Sequence, residues 1–206
     1  LWIGTFAEGL YRYDMASGAV RHFRCQADSS NGLSGNSITC LLEDTNGYLW
    51  IGTINRGLNR YDPRNERFMH YNYQLDQPGS IAGNTVWSAA QDAGRGLWFG
   101  TNGGLSYYDA AQNCFRNFTT QDGLPGNMIF SILPDTLGNL WLGTGRGLVC
   151  FNSTNYSVKI YDTGDGLLNT EFVQGACFKD QNGTFYFGGN HGVTFFNPVN
   201  ISKSKT

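Results

Sequence analysis

The 206-residue sequence is short of charge, proline and long apolar runs. Only 15% of its residues are charged, and the formal net charge of −2 comes without any Lys/Arg cluster. That excludes an electrostatic nucleic-acid surface. No stretch approaches the roughly 18 apolar residues of a membrane span. The opening Leu1-Trp2-Ile3-Gly4 lacks a basic leader region and reads as a strand, so no signal peptide is expected here. Gly-x-Ser-x-Gly, HExxH and phosphate-cradling loops are missing, and no catalytic residue or cofactor is assigned. The five cysteines, Cys25, Cys40, Cys114, Cys150 and Cys177, form no CxxC pair and fall at different phases. No metal ligand set is assigned, and the cysteines read as small apolar core residues.

What the chain has is repetition. Leu1-Trp2-Ile3-Gly4-Thr5 recurs as Leu49-Trp50-Ile51-Gly52-Thr53, Leu97-Trp98-Phe99-Gly100-Thr101 and Leu140-Trp141-Leu142-Gly143-Thr144, with a worn copy at Phe185-Tyr186-Phe187-Gly188-Gly189. The spacings are 48, 48, 43 and 45 residues. Twenty-eight glycines and 15% aromatics suit many short strands joined by tight turns. A period near 45 carrying aromatic strands predicts an all-β propeller of consecutive four-stranded antiparallel blades.

The second repeat serves as template. Residues 36–44 alternate, which places Ile38, Cys40 and Leu42 on one face and Thr39 and Leu41 on the other, as for an innermost strand between two blades. Asn46-Gly47 signals a hairpin in which both residues tolerate positive φ. The pentapeptide strand follows, then the loop Ile54-Asn55-Arg56, a third strand ending in Tyr61-Asp62, a turn at Asp62-Pro63, and an outer strand over 68–71. Blade strands are expected within 1–24, 36–73, 84–118, 127–161 and 172–197, so the propeller segment runs 1–198 and a linker begins at 199–206. Segments 36–43, 85–91 and 128–133 are the expected innermost strands. The first blade lacks an inner strand and the last an outer one. That makes a partial ring of about four to five blades, whose open ends favour self-association.

Recurring residues read as architecture. Trp2, Trp50, Trp98 and Trp141 pack between blades, and Asn36, Asn84, Asn127 and Asn169 cap loops. Asp44-x-x-Gly47, Asp135-x-x-Gly138 and Asp180-x-x-Gly183 are Asx-type turns rather than calcium loops, because Trp50, Ile51 and Gly52 stand where further oxygen ligands belong. Trp87 falls on an inner strand where other repeats carry Thr39, Phe130 and Val173; core packing is favoured over lining the channel. Recognition has room at non-repeating positions in the loops between second and third strands. The candidates there are Phe6, Glu8, Asn55, Arg56, Asn102, Arg146, Asn190 and His191, of which Asn55, Arg56, Asn102, Arg146 and His191 are the ligand-binding set. Amide, guanidinium and imidazole groups suit the hydroxyls or carboxylates of a glycan; the alternative for each is an ordinary solvated loop. His22, His70 and His191 sit at three phases and share no ring around the axis.

The order LWIGT, GLxRYD, aromatic strand, dGLxxNxI and D-x-x-G over the whole chain resembles the two-component regulator propeller repeat. Gly192-Val193-Thr194-Phe195-Phe196-Asn197-Pro198 resembles that family's closing repeat. The resemblance implies the periplasmic sensor region of a bacterial receptor, with two seven-bladed propellers and an immunoglobulin-like domain as companions, an oligosaccharide as trigger, and a histidine kinase or diguanylate cyclase output. The departures are the worn fifth pentapeptide and Cys150-Phe151-Asn152 in place of a Tyr-Asp pair. The alternatives are a structural or protein-docking propeller with no ligand of its own and, last, a channel-centred hydrolase or lyase.

Overall fold

Each repeat folds into its own antiparallel sheet, and the sheets succeed one another in chain order in a computed structural model that describes residues 1–25, 31–168 and 170–201. Blade 1 holds β1 (Trp2–Gly4), β2 (Leu10–Tyr13) and β3 (Val20–Phe23). Blade 2 holds β4 (Ile38–Glu43), β5 (Leu49–Thr53), β6 (Leu58–Asp62) and β7 (Arg67–Tyr71). Blade 3 holds β8 (Val86–Gln91), β9 (Leu97–Thr101), β10 (Leu105–Asp109) and β11 (Cys114–Phe118). Blade 4 holds β12 (Ile129–Pro134), β13 (Asn139–Thr144), β14 (Gly147–Asn152) and β15 (Val158–Tyr161). Blade 5 holds β16 (Phe172–Lys179), β17 (Phe185–Gly189) and β18 (Gly192–Phe196), followed by the short helix α1 (Pro198–Ile201). The stretch expected to open a linker therefore starts as helix, and its residues 202–206 lie outside the described residues, as does Asn169. No helix among the described residues is long and apolar enough to cross a membrane. Strands β4, β8, β12 and β16 neighbour one another, as innermost strands of successive blades. The fold is an all-β partial propeller.

The turn after each inner strand explains the D-x-x-G signature. Asp44 Oδ1 accepts the backbone N–H groups of Asn46 (2.8 Å) and Tyr48 (3.0 Å), and its Oδ2 accepts the indole N–H of Trp50 at 2.8 Å. The same indole bond recurs from Trp98 to Asp92 (2.8 Å) and from Trp141 to Asp135 (3.0 Å), while Tyr186 donates its hydroxyl to Asp180 at 3.3 Å. Only Gly47 of the Asn46-Gly47 pair has positive φ (82°), and its N–H donates to Asp44 O. The hairpin expected here is thus closed by a three-residue loop with a left-handed glycine.

The Trp held by that carboxylate reaches into the next blade. Trp50 is 1% exposed, with ring centroids 5.1 Å from Phe99 and 4.9 Å from Tyr108. Trp2 meets Tyr61 at 5.6 Å, Trp98 meets Phe151 at 5.6 Å and Trp141 meets Phe196 at 4.6 Å, so all four pack between blades as expected. The pentapeptide glycine serves the same contact near the axis. A Cβ on Gly52 would lie 2.5 Å from Cys40 Sγ and 2.8 Å from Val86 O of the neighbouring inner strand. Any larger residue there pushes two blades apart.

Three expectations about the core are corrected. Ile38 does not share a face with Cys40 and Leu42. A bulge between Ile38 and Cys40 puts Ile38 in the cluster facing blade 1 with Leu41, and Cys40 and Leu42 in the cluster facing blade 3. Equivalent register shifts fall between Val86 and Ser88 and between Ile129 and Ser131. Bulges rotate the extra residue out of the pleat, and Trp87 is such a residue. It is half-buried, belongs to none of the four core clusters, and its ring lies 6.1 Å from that of Phe130, the bulge residue of blade 4. Cys25 is exposed rather than core, because it follows the last residues of β3 at the surface. Burial does push the thiols of Cys40 and Cys150 up, to about 12 and about 11.

Outer strands are covered where the chain crosses between blades. Asn31 Oδ1 accepts from Phe68 N–H at 2.9 Å, and Gly79 O accepts from Phe115 N–H at 2.9 Å, so the crossing loops shield the edges of β7 and β11. The outward faces of the terminal blades are different. Ile3 and Val20 on blade 1, and Phe178 (63% exposed), Val193 and Phe195 (68%) on blade 5, stand open.

Two outcomes follow. In a double-mutant cycle of Asp44→Ala and Trp50→Phe, urea unfolding should report a coupling of about 1.5–3 kcal/mol, the range for hydrogen bonds to a charged group; additive effects would contradict the pairing. Hydrogen bonds from the backbone N–H groups of Thr184 and Asn182 hold Asp180 below its ordinary 3.8, and the Arg21 side chain holds Glu66 below 4.5. Their folded-state values are depressed, so their stabilisation is complete above about pH 5 and is lost as pH falls through the folded values. Denaturation midpoints measured from pH 7 to pH 3 should fall only at the acid end, and Asp180→Asn should flatten that slope.

Candidate functional site

The loops between second and third strands are closed by the last residue of the pentapeptide. Thr53 Oγ1 donates to Gly57 O at 2.6 Å, Thr101 to Gly104 O at 2.9 Å and Thr144 to Gly147 O at 2.8 Å. Gly57 then turns left-handed (φ 72°) and gives its N–H to Asn84 O at 2.7 Å, at the entry to the next blade. The recurring asparagines complete the joint. Asn36, Asn84 and Asn127 accept from the N–H of Cys25 (2.7 Å), Tyr73 (2.8 Å) and Thr120 (3.0 Å), the capping role expected of them. The frame uses the repeating polar groups and leaves the residues between them outward.

All five sequence-predicted residues, Asn55, Arg56, Asn102, Arg146 and His191, are exposed on these loops. The structure brings two of them together. Thr85, buried at the entry to β8, donates its hydroxyl to Asn55 Oδ1 at 2.9 Å and accepts the Asn55 backbone N–H at 3.1 Å. Its own N–H donates to Asn102 Oδ1 at 3.1 Å, and its carbonyl accepts the Asn102 N–H at 3.0 Å. Asn55 holds φ at 60°, a left-handed conformation that asparagine tolerates. Asn55 and Asn102 line a cleft of about 690 Å³ between blades 2 and 3, together with Tyr73, Asn84, Asn117 and Thr119.

The others stay apart. The Arg56 stem lies over Gly35, and its carbonyl accepts from Ser34 Oγ at 2.7 Å; the Arg146 stem lies over Gly126. Each arginine leans on the crossing loop of its own blade, and neither lines the cleft. His191 sits in the β17–β18 turn beside Asn190, whose Nδ2 donates to Glu171 Oε2 at 2.8 Å. Glu8 is engaged with Arg24. Among the described residues no group of three His, Cys, Asp or Glu is placed to hold a metal ion. His22 stacks on Tyr11 with centroids 4.0 Å apart, and His70 Nε2 faces Gly32 O at 2.7 Å. Sequence reasoning missed Thr85 and Tyr73. Tyr73 was detectable, since it occupies the position of Cys25 and Thr120 and is the one aromatic among them.

A family model described as two component regulator propeller matches residues 32–55 and 123–146. These two segments are two-component regulator propeller repeats by that match. Each matched segment runs from a crossing loop through the inner strand and its turn to the pentapeptide strand and its loop, ending at Asn55 or Arg146. Among solved structures, the chain is similar to the extracellular domain of the hybrid two component system BT3049 from B. thetaiotaomicron, with 30% identity and a TM-score of 0.85 over 100% of this chain. The extracellular domain of the hybrid two component system BT4673 from the same organism matches at 26% identity and a TM-score of 0.79 over 96% of this chain. The chain spans 27% and 28% of those two chains. The WD40 repeats of RRP9, at 13% identity, a TM-score of 0.70, and 95% coverage of this chain against 56% of that one, share the fold alone. No curated protein sequence matches.

The double use of Thr85 predicts a measurable consequence. Thr85→Val removes the hydroxyl that holds Asn55 and should cost about 1 kcal/mol. Hydrogen exchange at the Asn55 backbone N–H should accelerate, while the Trp50 indole N–H keeps its protection. Unchanged exchange at Asn55 would dismiss the tie.

Proposed function

We propose that this chain is an extracytoplasmic ligand-sensing segment of a bacterial transmembrane signalling receptor, with no catalysis of its own, that it binds an oligosaccharide, and that a kinase or cyclase carries its output. One observation carries the reading: polar groups on the two faces of the blades have opposite fates. On the turn face, Asp44, Asp92 and Asp135 spend both carboxylate oxygens on backbone and indole N–H groups. On the loop face, the guanidinium groups of Arg56 and Arg146 form no ion pair among the described residues. Repeats that match a two-component regulator model, and likeness to extracellular domains of hybrid two component systems, support the receptor context and a periplasmic location. Ligand engaged on the loop face shifts how this propeller packs on companion propeller and immunoglobulin-like domains and biases the receptor between two states. The open apolar faces at Ile3 and at Phe178 and Phe195 favour docking against further blades, or self-association where those are lacking.

Arginine recognises carboxylate or sulfate through paired N–H donors, so Arg56 and Arg146 serve the acidic units of a ligand. Replacing both with alanine should abolish binding of acidic oligosaccharides by calorimetry. It should leave the melting temperature nearly unchanged, because exposed loop charges contribute little to folding. A ligand located crystallographically on the turn face, near Asn46 or Asn182, would overturn the assignment of the face.

A further inference from the structure

The cleft between blades 2 and 3 has a chemistry of its own. Its walls are Asn55, Tyr73, Asn84, Asn102, Asn117 and Thr119, and no charged side chain lines it. Its floor is backbone. A Cβ on Gly83 would lie 2.8 Å from Gly103 N, and one on Gly103 would lie 2.7 Å from the carbonyl carbon of Ala82, so the glycines let these two loops approach backbone to backbone. Each wall amide is anchored through its oxygen: Asn55 Oδ1 by Thr85, Asn84 Oδ1 by the Tyr73 N–H, Asn102 Oδ1 by the Thr85 N–H. No acceptor among the described residues takes the Nδ2 groups of these three. Asn117 differs, since its Nδ2 donates to Ser80 O at 2.8 Å and its Oδ1 accepts from Ser106. Tyr73 is 43% exposed, and among the described residues its ring stacks on no other ring.

The geometry points to this cleft as a subsite for one uncharged pyranose or furanose unit, recognised by Tyr73 against its C–H face and by the Nδ2 groups of Asn55, Asn84 and Asn102 at its hydroxyl oxygens. This rests on the oligosaccharide reading above and deepens it. Three fixed amide donors around an open aromatic face match a ring whose rim carries oxygens and whose face is apolar. A carboxylate or sulfate brought to the same place loses its water without gaining a cation, which disfavours it. The oxygen anchors fix which end of each amide faces the ligand, so the donors are set before binding. Among the three joints whose capping asparagine is described, this one alone carries the aromatic: the residue equivalent to Tyr73 is Cys25 before blade 2 and Thr120 before blade 4, as their shared bonds to Asn36 and Asn127 show.

The test uses the purified protein, calorimetry, and two panels of oligosaccharides of four to eight units. One is neutral (β-glucan, mannan, xylan and fructan fragments) and the other acidic (polygalacturonate and sulfated glycosaminoglycan fragments). Tyr73 and Asn55 are changed separately, as Tyr73→Ala and Asn55→Gly; glycine keeps the left-handed backbone that Asn55 adopts. The expected result is binding of a neutral member, weakened at least tenfold by either change; Arg56→Ala with Arg146→Ala is measured beside them against the acidic panel. Neutral binding that neither cleft variant weakens overturns the subsite and leaves the sensing face standing. Binding of acidic members alone, lost only in the arginine variant, does the same. Binding of no member of either panel overturns both the subsite and the oligosaccharide reading. Circular dichroism melts of each variant separate lost binding from lost folding. If Asn55→Gly melts early, Tyr73→Ala decides, since its side chain makes no hydrogen bond with the described residues.

Discussion

A single carboxylate in the turn after each inner strand governs the geometry of the blade above it and the contact with the blade beside it. Asp44 is 5% exposed and Asp135 is 6% exposed, and a carboxylate so buried is costly unless its lone pairs are filled. Two backbone N–H groups and one indole N–H fill them, which fixes the turn and the register between first and second strands together with the orientation of the tryptophan. That tryptophan is the largest side chain at the blade interface. A bond spanning six residues thereby sets contacts between residues almost fifty apart, such as Trp50 with Phe99. Blade 5 shows the weaker form, since Tyr186 reaches Asp180 only at 3.3 Å and the carboxylate is less enclosed.

The same economy divides the molecule into two faces. Turns on one side are short and internally satisfied, so they have little left to offer a ligand. Loops on the other side need only the pentapeptide threonine and a left-handed glycine such as Gly57 to hold their shape. Residues between those two fixed points are free to differ, and they do: Ile54-Asn55-Arg56, Asn102-Gly103, Gly145-Arg146 and Asn190-His191. Scaffold and variable loop residues occupy separate positions of one repeat.

That separation also decides what was legible in the sequence. The blades were readable because every unit buries the same faces, so Trp50, Trp98 and Trp141 recur at one phase and land between blades. The bulge at Thr39, Trp87 and Phe130 was not. Strict alternation is a property of one strand, whereas the bulge answers the crowding of neighbouring inner strands, where Gly52 meets Val86 O of the next blade. The turn at Asp44-x-x-Gly47 was legible as an Asx-type hairpin turn, but the indole bond from Trp50 to the same carboxylate was not. At the candidate site, the sequence showed that Asn55 and Asn102 lie on variable loops but not that they meet. Asn55 and Asn102 are 47 positions apart, and they meet only because Thr85, unremarkable by itself, binds both.

The joints between blades bear on how a bound ligand is felt elsewhere. Gly9 donates to Asn36 O at 2.9 Å, Gly57 to Asn84 O at 2.7 Å and Gly147 to Thr170 O at 2.7 Å, so blade-to-blade ties repeat along the loop face. Farther out, Arg60 reaches the Tyr108 hydroxyl at 3.0 Å and Arg21 pairs with Glu66 of the next blade. Tryptophans fill the space between these two belts. Packed interiors of this kind deform little and transmit strain. In the proposed sensor, a ligand in the cleft would therefore pass its effect through these packed blades to the outer boundaries of the propeller. The boundaries are where the apolar faces stand open, at Ile3 and at Phe178 and Phe195. In the proposed sensor, the bistable element is accordingly the packing of this rigid body on its neighbours, and the blades serve to carry a local contact to that interface intact.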